Sequence, residues 1–202
     1  MTTRETPDKS LITGLILAGG RGSRMGSVDK GLQSFRGQPM VKHVIERLLP
    51  QVGRIAVNAN RNLDAYAQFG APVWADEIEG FAGPLAGMQT GLHHCETPYM
   101  ATAPCDTPFL PTDLVLRLAQ ALADEQADLA VASTGEGDGF QPHPVFCLMK
   151  TSLKPHLDDF LATGRRKIDA WYATLKVATV HFDDEDAFRN INTLDELRQF
   201  EQ

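Results

Sequence analysis

The chain reads as an α/β protein in which a mostly parallel central sheet is covered by helices on both faces, making three layers. Short apolar runs rich in branched residues alternate with longer segments whose apolar residues recur at helical spacing. Glycines and polar residues gather just after those runs, where an open parallel sheet presents its ligand-binding edge. No repeat or composition break divides the 202 residues, so a single domain over residues 11–202 is expected, after an unstructured leader at 1–10.

The first strand is expected over residues 11–17. It runs into a loop with five glycines between Gly19 and Gly31, which lets the backbone approach a ligand closely and turn its N–H groups toward an anion. Arg21, Arg24 and Lys30 against Asp29 make this loop cationic within a chain of net charge -7, a local reversal that suits phosphate. A dinucleotide fingerprint is excluded because Met25 stands where a third glycine or alanine is required, and no Gly-Lys-Ser/Thr follows to make a Walker loop.

A turn at Gly37-Gln38 leads into a helix with Pro39 in its first position and an apolar face of Val41, Val44, Ile45, Leu48 and Leu49. A strand over 54–58 ends on Asn58, which suits either a ligand contact or a helix cap. A third strand over 72–75 ends at Asp76, and a glycine-proline loop then opens a small-residue helix with Pro84 at its first position and His94 near its end. The strand over 99–103 delivers Asp106, stiffened between Pro104 and Pro108, as a candidate ligand for a hard divalent cation.

A helix over 112–124, a strand over 128–133, a mobile loop over 134–143, a strand over 144–149 and a helix over 151–161 follow. Arg165, Arg166 and Lys167 then cluster beside Gly164. A strand over 175–180 and a helix over 194–200, capped by Asn192 or Thr193, close the chain.

The acidic balance argues against nucleic-acid and anionic-membrane partners, which need basic surface. No apolar run approaches the length that crosses a bilayer and no signal-peptide core is visible, so a cytoplasmic protein is expected. Cys95, Cys105 and Cys147 lack paired spacing, and neither a disulfide framework nor a zinc site is expected. Nucleophilic catalysis lacks a partnered serine, and His93-His94 has no third metal ligand at useful spacing. What the strand ends collect is Arg24, Lys30, Asn58, Asp76, Asp106 and Asn192: cations, amides and, in Asp106, a candidate carboxylate for Mg2+. That set suits nucleotidyl transfer, in which the attacking phosphate oxygen is already ionised and alignment with charge neutralisation does the catalysis.

Taken together, Leu17-Ala18-Gly19-Gly20, Arg24-Met25-Gly26, Asp29-Lys30-Gly31, Val57-Asn58-Ala59-Asn60-Arg61, Asp76, Gly83-Pro84-Leu85-Ala86-Gly87-Met88, Pro104-Cys105-Asp106-Thr107-Pro108 and Asn190-Ile191-Asn192-Thr193 resemble the molybdenum cofactor guanylyltransferase family. The resemblance covers roughly residues 12–200 and implies a three-layer, Rossmann-like nucleotidyltransferase fold. It further implies transfer of GMP from GTP, with Mg2+, onto the phosphate of molybdenum-molybdopterin, releasing pyrophosphate.

Carried over by motif, Leu17, Ala18 and Gly19 contact the nucleotide through their backbone, Lys30 and Arg24 hold its phosphates, Asn58 and Asp76 bind it, and Asp106 is the metal ligand. His143, Arg165, Arg166, Lys167, Asn190 and Asn192 are assigned to the pterin side from charge and position. Proteins of molybdoenzyme maturation are the implied partners of a monomeric enzyme. A departure from sugar-nucleotide relatives, which carry proline just before the loop lysine, is Asp29. A cytidylyltransferase on the same cofactor, a sugar-phosphate nucleotidyltransferase and a non-catalytic nucleotide-binding regulator stay open as alternatives.

Overall fold

The computed structural model describes residues 5–19, 29–78, 83–191 and 196. Arg24, Asn192 and most of the expected 194–200 helix lie outside the described residues.

In chain order the elements are β1 (Ile12–Leu17), β2 (Ser34–Phe35), β3 (Gln38–Pro39), α1 (Met40–Leu48), β4 (Arg54–Asn58), α2 (Leu63–Ala67), β5 (Val73–Trp74) and α3 (Pro84–His94). They continue as β6 (Tyr99–Pro104), α4 (Leu114–Asp124), β7 (Leu129–Thr134), β8 (Gln141–Lys150), α5 (Lys154–Ala162), α6 (Ile168–Tyr172) and β9 (Val177–His181). Seven strands form one sheet in the order β5-β4-β1-β6-β8-β7-β9. Every neighbouring pair is parallel except β6-β8 and β8-β7, so β8 is the one described strand of this sheet that runs against the others.

Two apolar layers sandwich the sheet, as alternating strand faces require. On one side α1, packed on β1, and α4, packed on β7, β8 and β9, bury Val41, Val44, Leu48, Leu114, Leu118 and Leu122. On the other, α3, α5 and α6 bury Leu85, Met88, Leu157, Phe160 and Trp171.

Several expectations are corrected. Pro39 precedes α1 instead of opening it, because Arg36 (φ 48) and Gly37 (φ 79) make a left-handed turn that pairs Ser34-Phe35 with Gln38-Pro39 as a miniature hairpin. Within the expected leader, Asp8, Lys9 and Ser10 are held: Asp8 caps a 3-10 turn at Lys9–Leu11, Lys9 Nζ donates to the Pro50 carbonyl at 3.3 Å, and the Ser10 backbone lies against Gly53. The expected mobile loop is shorter than 134–143, since β8 starts at Gln141 and pairs with the end of β7 across a bulge between Val131 and Ala132.

Pro142 and Pro144 have no N–H to give a ladder, and β8 stays paired with β6 only from Lys150 down to Cys147. Beyond the Thr102–Cys147 pair the two strands part. The gap they leave opens on the same edge as the ends of β1 and β4.

Candidate active site

Three parallel strands end side by side and their first loop residues are stitched together. The Cys105 amide donates to the Leu17 carbonyl at 3.0 Å, and the Ala18 amide donates to the Asn58 carbonyl at 2.8 Å. Leu17, Ala18 and Gly19 therefore leave the sheet in a fixed direction. A Cβ at Gly19 would stand 3.1 Å from both Asn58 Oδ1 and Asn60 Nδ2, and one at Gly87 would collide with Asn58 Oδ1. Two glycines thus let the β1 loop and α3 close on the buried Asn58 side chain from opposite sides.

Asn58 in turn organises the end of β5. Its Nδ2 donates to the Trp74 carbonyl at 3.0 Å and to Asp76 Oδ1 at 2.8 Å. Asn60 Nδ2 donates to Asp76 Oδ2 at 2.8 Å while its Oδ1 accepts from the Asp76 amide. Asp76 is held from both oxygens, so its carboxylate has one orientation. Sequence reasoning placed Asn58 and Asp76 here but passed over Asn60, whose i+2 spacing from Asn58 puts it on the same side of the chain.

Lys30 and Asp106, 76 residues apart in sequence, meet at 3.1 Å. Their side chains are only 24% and 11% exposed, so the pair is largely shielded from water and strongly felt by any anion that enters. The Asp106 carbonyl accepts the Ile191 amide at 2.9 Å, and Thr107 Oγ1 donates to Asn190 Oδ1 at 2.7 Å, which ties the β6 loop to the chain's last described stretch. Burial pushes the Cys105 thiol up, with Asp106 adding to the effect, which leaves it an inert wall and not a nucleophile.

Among the described residues no cluster of three or more His, Cys, Asp or Glu could hold a metal ion by itself. A hard divalent cation can be held by one or two carboxylates, its shell completed by substrate phosphates and water, and Asp106 is the carboxylate of this pair that could hold one.

The gap between β6 and β8 is a cavity of about 610 Å³, lined by Pro104, Thr134, His143, Phe146, Phe188 and Asn190 among others. His143 stacks on Phe188 with ring centres 4.6 Å apart, and its Nε2 lies 2.8 Å from Thr134 Oγ1. Burial lowers its pKa, with Glu185 opposing, so the ring is a neutral, flat and polar-edged wall at neutral pH. His143 and Asn190 are thus brought together. Arg165, Arg166 and Lys167 stand apart from that lining, in the turn between α5 and α6. The Arg165 guanidinium lies 4.6 Å over the Phe160 ring and Arg166 donates to the Leu161 and Arg165 carbonyls.

His93 does not seek a metal: its ring nitrogens face Glu77 at 2.7 Å and Asp158 at 2.9 Å, joining the β5 loop, α3 and α5.

The family described as the MobA-like NTP transferase domain matches residues 14–178. The chain belongs to that family. Among MobA-like relatives, the molybdenum cofactor guanylyltransferase of Bordetella petrii is 59% identical over 192 residues, 95% of this chain and 98% of its own. That of Cupriavidus necator is 61% identical over 191 residues, covering 94% and 96%. The crystal structure of molybdopterin-guanine dinucleotide biosynthesis protein A from Archaeoglobus fulgidus shares the fold with a TM-score of 0.75 at 24% identity, over 94% of this chain and 96% of that one. The MobA-like assignment agrees with the expected nucleotidyltransferase architecture.

Proposed function

We propose that the protein transfers GMP from GTP to the phosphate of molybdenum-molybdopterin, releasing pyrophosphate and forming the guanine dinucleotide cofactor. The observation that carries this reading is the Lys30–Asp106 pair at the carboxyl edge of the parallel strands, flanked on one side by the Asn58–Asp76–Asn60 network and on the other by the His143 cavity. Two binding regions flanking one charged centre fit a reaction that joins two phosphorylated heterocycles. The names and near full-length similarity of the relatives supply the identity of both.

In this reading the backbone of Leu17, Ala18 and Gly19 lies along the nucleotide, and Asn58 and Asp76 bind it. Lys30 and Arg24 hold the triphosphate. Asp106 holds Mg2+, which when bound neutralises charge on the departing pyrophosphate. The second substrate's phosphate oxygen attacks the α-phosphorus as the bond to the β-phosphate oxygen breaks. That oxygen is ionised at neutral pH, so no general base is required. Lys30 leaves Asp106 for the phosphates as the nucleotide arrives, a strengthening contact where charge develops. His143 and Asn190 face the pterin and Asn192 is assigned to the same side, whereas Arg165, Arg166 and Lys167, held in the α5–α6 turn apart from that cavity, are given no part in it.

The test is incubation with each nucleoside triphosphate, Mg2+ and molybdenum-loaded pterin, reading pyrophosphate and product mass. GTP alone should give the dinucleotide; preference for CTP, or product from a sugar phosphate only, would overturn the assignment.

A further inference from the structure

Lys30 lies between two residues gripped by the same short helix. Before it, Asp29 Oδ1 accepts the Tyr66 hydroxyl at 2.5 Å and Asp29 Oδ2 accepts Asn62 Nδ2 at 3.0 Å. After it, a Cβ on Gly31 would run into that same Tyr66 hydroxyl and stand 3.2 Å from Cys105 Cβ and Sγ. Tyr66 is fully buried on α2, and Asn62 is the left-handed residue (φ 53) that begins α2.

Asp29 occupies the N-cap position of the 3-10 turn Lys30–Leu32, where an aspartate ordinarily accepts from the turn's own amides. It makes no such bond. Its carboxylate is turned instead toward α2, which fixes the chain entering Lys30 while the Gly31 contact fixes the chain leaving it. Burial holds the Tyr66 phenol well above its ordinary pKa, with Cys105 and Asp29 adding to the effect, so it stays a donor at any working pH.

We infer that Tyr66 is a positioning residue, which through Asp29 and Gly31 sets the backbone from which the Lys30 ammonium reaches Asp106 and the triphosphate. A lysine side chain has many rotamers and little geometric preference of its own. Anchoring its backbone on both sides narrows where the ammonium can stand, and displacement of about 1 Å is enough to weaken an aligned phosphate contact. This inference rests on the reading of Lys30 as a triphosphate-binding cation.

A double-mutant cycle tests it, with GTP dissociation constants measured by calorimetry in the presence of Mg2+ for wild type, Tyr66→Phe, Lys30→Ala and the double variant. Tyr66→Phe should weaken GTP binding roughly three- to ten-fold with Lys30 present, the size of coupling within one hydrogen-bonded network, and by less than about two-fold in the Lys30→Ala background. The same cycle with Asp29→Ala should reproduce this, and it carries the test should Tyr66→Phe not fold. An unchanged affinity in Tyr66→Phe, or the same loss in both backgrounds, would overturn the inference and leave the proposed function standing. Absence of GTP binding by the wild type would overturn both.

Discussion

The strands β5, β4, β1 and β6 and the strands β8, β7 and β9 are halves of one sheet with different ways of making a site. In the parallel half each strand ends on the same edge, and the residues that leave it are locked to one another: Asn58 to Asp76, Asn60 to Asp76, Lys30 to Asp106. The polar groups are pre-set before any ligand arrives. In the other half the reversed strand β8 separates from β6 and leaves a roomy cavity walled by stacked rings, His143 on Phe188. One half is organised by hydrogen bonds that join neighbouring strand ends, the other by a wide gap whose wall sets the His143–Phe188 stack among polar and charged residues such as Glu185 and Arg189. Substitutions in the first should therefore fall on the triphosphate and on chemistry, and in the second on the partner substrate and on pH behaviour.

The sharpest break is at Asp106. Asp106→Ala removes the carboxylate that Lys30 meets at 3.1 Å, and turnover should fall at least ~10²-fold, the scale seen on losing one group that stabilises developing charge. The fold should survive, since the Ile191 amide bonds to the Asp106 backbone and not its side chain. Pyrophosphate release at the wild-type rate, from a variant with an unchanged unfolding temperature, would contradict this.

Next in size, Lys30→Ala should weaken GTP binding by about 1.5–3 kcal/mol, the worth of a charge-assisted hydrogen bond, with calorimetry as the measurement. The affinity for the pterin substrate should move much less if the two halves divide their work as described.

Asn58→Ala should cost about 1–3 kcal/mol of stability in a urea titration, because Asp76 and the Trp74 carbonyl each lose a buried donor. An unchanged midpoint would mean that the network is decoration. It should also raise the KM for GTP, since Asp76 would lose its fixed orientation.

The smallest effect belongs to the aromatic half. His143 has a folded pKa below its ordinary 6.5, so its contribution to stability is present above that value and is lost as pH falls through the lowered one. Unfolding temperature measured from pH 7.5 down to 5 should drop more for wild type than for His143→Gln. Parallel curves would show that His143 does not titrate against the fold.

The same contrast explains what the sequence could disclose. Asn58, Asp76 and Asp106 are legible because a polar or charged residue at the end of an apolar run stands at the ligand edge of a parallel sheet, whereas Lys30, far beyond β1, is read from the cationic glycine loop. Asn60 carried the same signal two positions on. The start of β8 was harder, since Gln141–His143 with Pro142 read as loop, and only pairing with β7 across a bulge makes them strand. The helices α2 and α6, five residues each, are too short to show a helical period, so Tyr66 and Trp171 could only be read as core candidates after folding. Tyr66 in particular is defined by its neighbour Asp29, 37 residues away, and no local pattern announces such a bond. The hold on Lys9 and Ser10 has no local signal, because the backbone they pack against, at Gly53, lies elsewhere in the chain.

The central claim is that Lys30 and Asp106 grip one triphosphate between them. A crystal structure of the protein with Mg2+ and a non-hydrolysable GTP analogue tests it directly. The 3.1 Å contact should open, with the Lys30 ammonium on the phosphates and the Asp106 carboxylate on the cation. A triphosphate bound elsewhere, with the Lys30–Asp106 pair still closed, would contradict the account.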